Sequence, residues 1–312
     1  MRQADPVPTP STRVALEHRT TYDFAAPVRL GPHVVRLRPA PHARAGVADY
    51  RLDVVADGAV QSPHWHQDPF GNWQARVSFA DEVTRLDLAV HVVADLEPVN
   101  PFAFVLEPYA ASYPFSYDPQ TWSDLGPYLR PVEGAADVHR LRGDLPASGT
   151  PTVTLLGDLN AAVHRATSYT TRLEAGFQDP DTTLRLGSGS CRDSAWLLVA
   201  LLRQHGLAAR FVSGYLVQLV DPAAGPGPGA VLADDLELHA WAEAYLPGAG
   251  WIGLDPTGSL FTAEGHLPLS ATPHPDSAAP VTGTTGPTGP GGVTFTYDHR
   301  VTRLTAADGA DL

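Results

Sequence analysis

The sequence predicts an α+β protein in which a small all-β sandwich-like domain precedes a domain built from helices and an antiparallel sheet. Short strand-like runs fill the first hundred residues, helical spacing begins near Thr154, and a strongly apolar segment follows the single cysteine, Cys191. Alternation with a period of two residues indicates half-buried strands, whereas a period of 3.6 indicates helices. A length of 312 residues also agrees with two domains.

Residues 13–105 are expected to form the β-rich N-terminal domain. Alternating or apolar runs, for example at 50–55 and 85–93, are separated by turn signals. Residues 68–72 (DPFGN) have the composition of a turn between two strands. Residues 106–150 are rich in proline, tyrosine and glycine, and we expect a connector with one short helix.

Residues 151–262 are expected to form the second domain. Leu155, Leu159 and Val163 recur at helical spacing, which predicts a first helix that ends near Ser168.

A buried helix and a sheet are expected to follow. Residues 191–205 are apolar almost all round, which is typical of a buried helix. Strands are predicted at 210–220, 236–246 and 251–255, which gives a helix-then-sheet order. Residues 263–312 are expected to be a low-complexity tail with a possible returning strand near its end.

Composition excludes several classes of protein. Apolar residues make up 43% and charged residues 18%, as in ordinary globular proteins. The net charge of −13 argues against a nucleic-acid partner. No run approaches the ~20 apolar residues that span a bilayer, and the first residues show no apolar signal segment. We therefore expect a cytoplasmic protein with no membrane partner.

Cys191 stands where a glycine-rich loop meets the buried helix, a position that suits a nucleophile. A helix N-terminus offers free N–H groups and partial positive charge, which favour a thiolate. His239 and Asp255 follow in the order expected for a base and the carboxylate that orients it. The alternative is that Cys191 is an inert packing residue.

The register of the predicted hairpin decides whether His239 and Asp255 can meet. If Tyr245 lies opposite Trp251, with an odd-length loop or a bulge, Asp255 lies diagonal to His239 on the same face, roughly 7 to 8 Å away between backbones. A register shifted by one residue would place the two on opposite faces. We predict the former register.

Two further residues near Cys191 have alternative interpretations. Ser190 and Asp193 fit a capping box, which is preferred for Asp193 over a role as a catalytic acid. Tyr169 is either an oxyanion donor or a core aromatic residue, and core packing is preferred.

His64 and His66 have the spacing of two metal ligands on one strand face. No third ligand is obvious, so a surface patch beside a turn is preferred and no metal is expected. A single cysteine excludes a cysteine zinc cage and an intrachain disulfide, as in proteins of a reducing compartment.

Four motifs in the second half resemble the transglutaminase-like branch of the papain-like cysteine enzymes: GSGSCRDSAW at 187–196, ARFVSGY at 209–215, LHAW at 238–241 and GWIGLDPT at 250–257. The front half is similar to the β-rich domain that precedes this core in many bacterial members, through HRTTY at 18–22, PVRLGP at 27–32 and QDPFGN at 67–72.

The resemblance implies a papain-like transglutaminase core with Cys191 as nucleophile, His239 as base and then acid, and Asp255 as the residue that orients His239. It implies acyl transfer at peptide or glutamine-type amides through a thioester, a peptide or protein substrate, and an ATP-grasp-like protein as a possible partner. No cofactor is expected.

Several functions are compatible with these motifs. Hydrolysis, as in a protease or amidase, is preferred. The alternatives are a protein-glutamine γ-glutamyltransferase, a non-catalytic peptide-binding module and, last, an acyl-CoA-dependent acyltransferase. The sequence contains no lysine, so copies of the chain cannot supply lysine side chains for crosslinking to one another.

Overall fold

A computed structural model describes residues 11–142, 149–221, 231, 233–288 and 291–305. It confirms the α+β class, with antiparallel sheets in both halves and helices packed on the sheet of the second half. No helix in these ranges combines the length and the apolar character needed to cross a membrane.

Seven strands come from the first hundred residues: β1 (Thr12–Arg29), β2 (His33–Val35), β3 (Gly46–Ala56), β4 (Ala59–Gln61), β5 (His64–Gln67), β6 (Trp73–Val77) and β7 (Glu82–Leu96). One sheet has the order β1-β7-β3-β4 and a second has the order β2-β6-β5. Buried apolar residues recur along β7 at every second position, because successive side chains of a strand point to opposite faces.

The connector contains short elements: the 3₁₀ turns Pro108–Ala110 and Val138–Arg142, β8 (Ser112–Tyr113), α1 (Pro119–Asp124), α2 (Gly126–Leu129) and β9 (Thr150–Pro151). The described residues of the connector contain two α-helices where the sequence predicts one. Asp118 caps α1, since its carboxylate accepts hydrogen bonds from the backbone N–H groups of Gln120 and Thr121, both at 3.1 Å.

The second half begins with α3 (Thr152–Ala166), β10 (Ser168–Tyr169), α4 (Pro180–Leu186), β11 (Ser188–Gly189) and α5 (Cys191–Gln204). Twelve of the fourteen residues of α5 are buried, which agrees with the apolar pattern of its sequence. Both α3 and α5 contribute to one hydrophobic cluster.

The sheet that α5 packs on has five strands: β12 (Ala209–Gln218), β13 (Asp235–Leu246), β14 (Gly250–Asp255), β15 (Leu260–Phe261) and β16 (His266–Thr272), in the order β15-β14-β13-β12-β16. Ala240, Ala242 and Ala244 of β13 are buried in the same cluster as α5. Their alternate spacing places three small side chains on one face of the strand, and the helix lies against that face.

The structure differs from the expected end of the second domain at residue 262. The strand β16 lies beyond that boundary and pairs with β12. The sequence pattern does not predict this strand, because it contains Pro268 and a proline within a run argues against a central strand. β16 is tolerant of Pro268 because it is the last strand in the sheet order, and the pairing shifts register at this position.

The remaining elements are α6 (Pro275–Ala278), β17 (Val281–Thr282) and β18 (Val293–Arg303). β18 pairs with β1 over eleven residue pairs, and β17 pairs with β2. Residues from the expected low-complexity tail therefore extend both sheets of the N-terminal domain.

Two motifs of the front half lie at the junction with the second half. The Asn72 side chain is fully buried and pairs with the backbone of Ala271, donating at 3.0 Å and accepting at 2.9 Å. His18 and the Tyr215 hydroxyl share a hydrogen bond of 2.8 Å. These buried polar contacts join the two halves of the molecule, in addition to a shared hydrophobic cluster.

Candidate active site

The loop before Cys191 is shaped by two glycines with different roles. Gly187 ends α4 in the left-handed conformation, with φ of 61°, which glycine adopts without a steric penalty. Gly189 lies so close to Asp193 that an added Cβ would be 2.7 Å from the Asp193 Cβ. The loop can therefore pass directly over the first turn of α5.

Asp193 closes this helix start, as the capping-box prediction requires. Its side chain is fully buried and accepts hydrogen bonds from the backbone N–H groups of Ser190 at 2.8 Å and Gln178 at 2.7 Å. Arg172 forms an ion pair with it at 3.1 Å. Asp193 is thus engaged in holding the loop and the helix together.

Cys191 is the first residue of α5 and lies in a cleft of about 360 Å³ that His239 also lines. The side chain is 8% exposed. Because Cys191 is the first residue of the helix, its backbone N–H has no acceptor within the helix. This N–H lies at the positive end of the helix dipole.

The hairpin has the predicted register, with Tyr245 opposite Trp251 and a loop of odd length at 247–249. His239 and Asp255 consequently meet. His239 Nε2 donates a hydrogen bond to Asp255 Oδ2 at 2.9 Å, and both side chains are buried.

The charges of this pair reinforce each other. Burial by itself would lower the pKa of His239, but the hydrogen bond with Asp255 and the proximity of Cys191, together with the negative charges of both groups, raise it to about 10. Burial by itself would raise the pKa of Asp255, yet hydrogen bonds from His239 and His266 hold it well below its usual range. At neutral pH the pair is therefore an imidazolium beside a carboxylate.

The other ring nitrogen of His239, Nδ1, faces the cleft side. It is buried and makes no hydrogen bond of full geometry within the described part of the chain. Glu237 Oε1 lies 3.5 Å from it. Because Asp255 occupies Nε2, Nδ1 is the nitrogen left to interact with Cys191.

His266 is a residue of this cluster that the sequence reasoning missed. Its Nε2 donates to Asp255 Oδ2 at 3.3 Å, and its Nδ1 accepts from the Ala263 backbone N–H at 3.4 Å. These partners assign the proton to Nε2. The Thr257 N–H donates to the other oxygen, Asp255 Oδ1, at 2.8 Å. The only sequence signal for His266 is a histidine between Gly265 and an apolar run, eleven residues after Asp255.

Among the described residues, the side chains of His239, Asp255 and His266 form a group that could hold a metal ion. The ligand atoms of His239, Asp255 and His266 lie within 4.8 Å of one another. In this arrangement the hydrogen bonds to Asp255 already use these atoms.

Two stretches of the chain match family models. Residues 14–95 match the bacterial transglutaminase-like N-terminal region, and residues 147–256 match the transglutaminase-like superfamily. The chain belongs to the transglutaminase-like superfamily. Members of this superfamily are usually cysteine enzymes.

Relatives of this transglutaminase-like chain differ in how much of it they share. An uncharacterised protein of Mycobacterium tuberculosis is 27% identical over 266 residues, which is 82% of each chain. A protein-glutamine gamma-glutamyltransferase of Pseudomonas aeruginosa is 30% identical over 146 residues, which is 46% of this chain and 21% of that protein. A proposed cysteine protease from Cytophaga hutchinsonii has a similar fold, with a TM-score of 0.68 over 96% of this chain and 93% of that one, at 16% identity.

Tyr169 lies in the cleft of the transglutaminase-like core, and the preferred interpretation as a core aromatic is wrong. Pairing of β10 with β11 places it beside Gly189, and it is 52% exposed. Partial burial and the nearby charge of Cys191 raise its pKa, so its hydroxyl keeps its proton at neutral pH and can donate.

The histidines at 64 and 66 lie far along the chain from this core, on β5. Their rings stack with centroids 6.4 Å apart, and His64 is exposed. They are not part of the three-residue cluster described above.

Proposed function

We propose that this chain is a cysteine-dependent acyl-transfer enzyme that cleaves peptide or glutamine-type amide bonds through a thioester on Cys191, with water as the preferred acceptor. The observation that carries the proposal is the placement of His239, with Asp255 at 2.9 Å on one ring nitrogen and the other nitrogen left for Cys191 in a cleft. A nucleophile, a base and a group that orients the base are the parts that this chemistry needs.

Before the first half-reaction, the proton of the Cys191 thiol has already passed to His239. A pKa of about 10 means that His239 keeps this proton at neutral pH. The sulfur attacks the amide carbonyl carbon, a C–S bond forms, and the C–N bond then breaks. The leaving amine or ammonia departs with the proton from His239, and a thioester remains.

In the second half-reaction, a water molecule attacks the thioester carbonyl and gives a proton to His239. The C–S bond breaks, the carboxylic acid leaves, and the Cys191 thiolate is again beside the protonated His239. Asp255 keeps the ring in one orientation through both steps, because its hydrogen bond fixes which nitrogen faces the sulfur.

Two donors are available for the oxyanion of each tetrahedral intermediate. The backbone N–H of Cys191 is at the start of α5, where helix groups stabilise negative charge. The Tyr169 hydroxyl, in the same cleft, is the candidate for the second donor.

Alkylation and amide turnover test this proposal together. Iodoacetamide should label Cys191 of the wild type much faster than it labels a free cysteine at the same pH, and His239→Ala should remove this difference. Because Cys191 is the single cysteine, one mass shift assigns the site. His64→Ala is the control, since His64 is an exposed histidine on β5.

The corresponding turnover experiment measures ammonia released from a glutamine peptide and new termini released from a peptide library. Cys191→Ala should abolish both. A Cys191 with ordinary reactivity, together with no amide turnover that depends on Cys191, would leave a non-catalytic peptide-binding module as the better description.

Transfer of the γ-glutamyl acyl group to an amine is the second candidate function. The Pseudomonas aeruginosa relative favours it, since that protein is named a protein-glutamine gamma-glutamyltransferase. Added methylamine distinguishes the two. Since the chain has no lysine, lysine side chains of the enzyme itself cannot compete as acceptors. Incorporation of methylamine that exceeds hydrolysis would reverse our preference.

A further inference from the structure

The cleft over Cys191 has one wall that comes from outside the second domain. Phe295, Tyr297 and His299 of β18 line it. They are alternate residues of a strand, so their side chains project from one face. Since β18 pairs with β1 in the N-terminal sheet, the N-terminal domain takes part in the cleft.

These rings form a continuous row. The centroids of Phe295 and Tyr297 are 5.8 Å apart, and those of Tyr297 and His299 are 5.3 Å apart. Phe295 also packs against Tyr22 of β1, at 5.3 Å. Contacts of this kind restrict the rings before any ligand binds, so less conformational freedom is lost on binding.

Despite these contacts the row remains open. Phe295 is 39% exposed and Tyr297 is 50% exposed. Two more exposed apolar side chains line the same cleft, Tyr169 of β10 at 52% and Leu173 of the following loop at 63%. Exposed apolar side chains that gather in one cleft are typical of a binding surface, whereas single exposed ones are ordinary.

We propose that Phe295 and Tyr297, here called the aromatic wall, form a substrate subsite that takes an aromatic or large aliphatic side chain. This side chain would belong to the residue next to the amide that Cys191 attacks. The inference rests on the proposed function for the identity of the attacked bond, and it adds the class of peptide. A small or acidic neighbour would leave the wall exposed or place a charge on it, and would bind more weakly.

The test uses two peptides that differ in one side chain, acetyl-Phe-Gln-Gly amide and acetyl-Ala-Gln-Gly amide, together with a pair that carries the Phe or Ala after the glutamine. Two measurements are made: kcat/KM for ammonia release, and protection of Cys191 from iodoacetamide. In at least one pair, the Phe peptide should have about a tenfold higher kcat/KM and protect at about tenfold lower concentration, the effect of one large apolar group in a pocket.

Threonine also favours strands, so the variants Phe295→Thr and Tyr297→Thr should preserve β18. The double variant should reduce the preference to less than about twofold, with protection measured relative to the alkylation rate of the same variant without peptide. Tyr109→Thr is the matched control, since Tyr109 is also 50% exposed but lies outside the cleft lining. Circular dichroism checks that the variants fold, and Tyr297→Thr alone replaces the double variant if that one does not.

Equal binding of Phe and Ala peptides by the wild type in both pairs would overturn the proposal that the aromatic wall is a substrate subsite. A preference for the Phe peptide that survives in the folded variants would also overturn it. Failure of the proposed function looks different. In that case no ammonia is released and Cys191 reacts like a free thiol, yet protection from alkylation still reports whether the Phe peptide binds better.

Discussion

The two sides of the His239 ring have opposite characters. Behind the ring, Asp255 and His266 are buried and joined by hydrogen bonds at 2.9 and 3.3 Å. On the other side, Nδ1 lies 3.5 Å from Glu237 Oε1, beside the open cleft that Cys191 also lines. The difference indicates that Asp255 and His266 fix the orientation of the ring, so that its cleft side remains free for substrate and proton transfer.

Removal of the carboxylate behind the ring should have the largest effect. Asp255→Asn keeps the size of the side chain but can present an N–H where His239 needs an acceptor. We expect amide turnover to fall about 10³- to 10⁴-fold, because the ring would adopt the wrong tautomer. Steady-state kinetics measure this, and a retained thermal midpoint separates it from unfolding. Near-normal turnover would show that Asp255 does not orient His239.

His266 should come next in size, as a positioning residue. His266→Leu removes one of the hydrogen bonds that hold the Asp255 carboxylate, and we expect kcat to fall about 10- to 100-fold with little change in KM. His266→Gln can place an amide N–H near the same position and should restore part of the loss. A change confined to KM, or the absence of rescue by His266→Gln, would mean that His266 only fills space.

Stability should depend on pH through the ion pair behind the ring. The pKa of His239 is raised from 6.5 to about 10 in the folded protein, so folding favours the imidazolium. This stabilisation is complete below pH 6.5 and is lost as the pH rises through 10. Urea unfolding of the wild type and of His239→Gln should therefore differ most at pH 6, and the difference should shrink by on the order of 4 kcal/mol towards pH 10. A constant difference over this range would contradict the raised pKa.

Glu237, in front of the ring, should matter least. Its pKa is raised by burial, and its side chain is 41% exposed, so solvent screens its interaction with Nδ1. We expect Glu237→Gln to change kcat/KM by about threefold, since one partly exposed charge pair contributes less than ~1 kcal/mol. Asp235→Asn on the same strand is the control. A loss as large as that of Asp255→Asn would mean that the two sides of the ring do not differ as described.

Much of the site could be predicted because its signals are local. The capping pair Ser190 and Asp193, and the pairing of Tyr245 with Trp251, follow from short-range spacing, and the structure confirms both. His266 could not be predicted in the same way. Its strand contains Pro268, which obscures the period-two pattern, and its contact with Asp255 depends on the order of strands in the sheet.

The sequence by itself determined the α+β class, the place of Cys191 at a helix start, and the register that brings His239 to Asp255. Each of these depends on residues close together along the chain, where helix capping, turn length and side-chain period act directly. Only the tertiary structure decided that β18 returns to β1 and brings Phe295 and Tyr297 into the cleft that Cys191 lines. Such contacts join segments that are from about 100 to almost 290 residues apart. They arise from the way whole sheets share buried surface, which a local sequence pattern does not reveal.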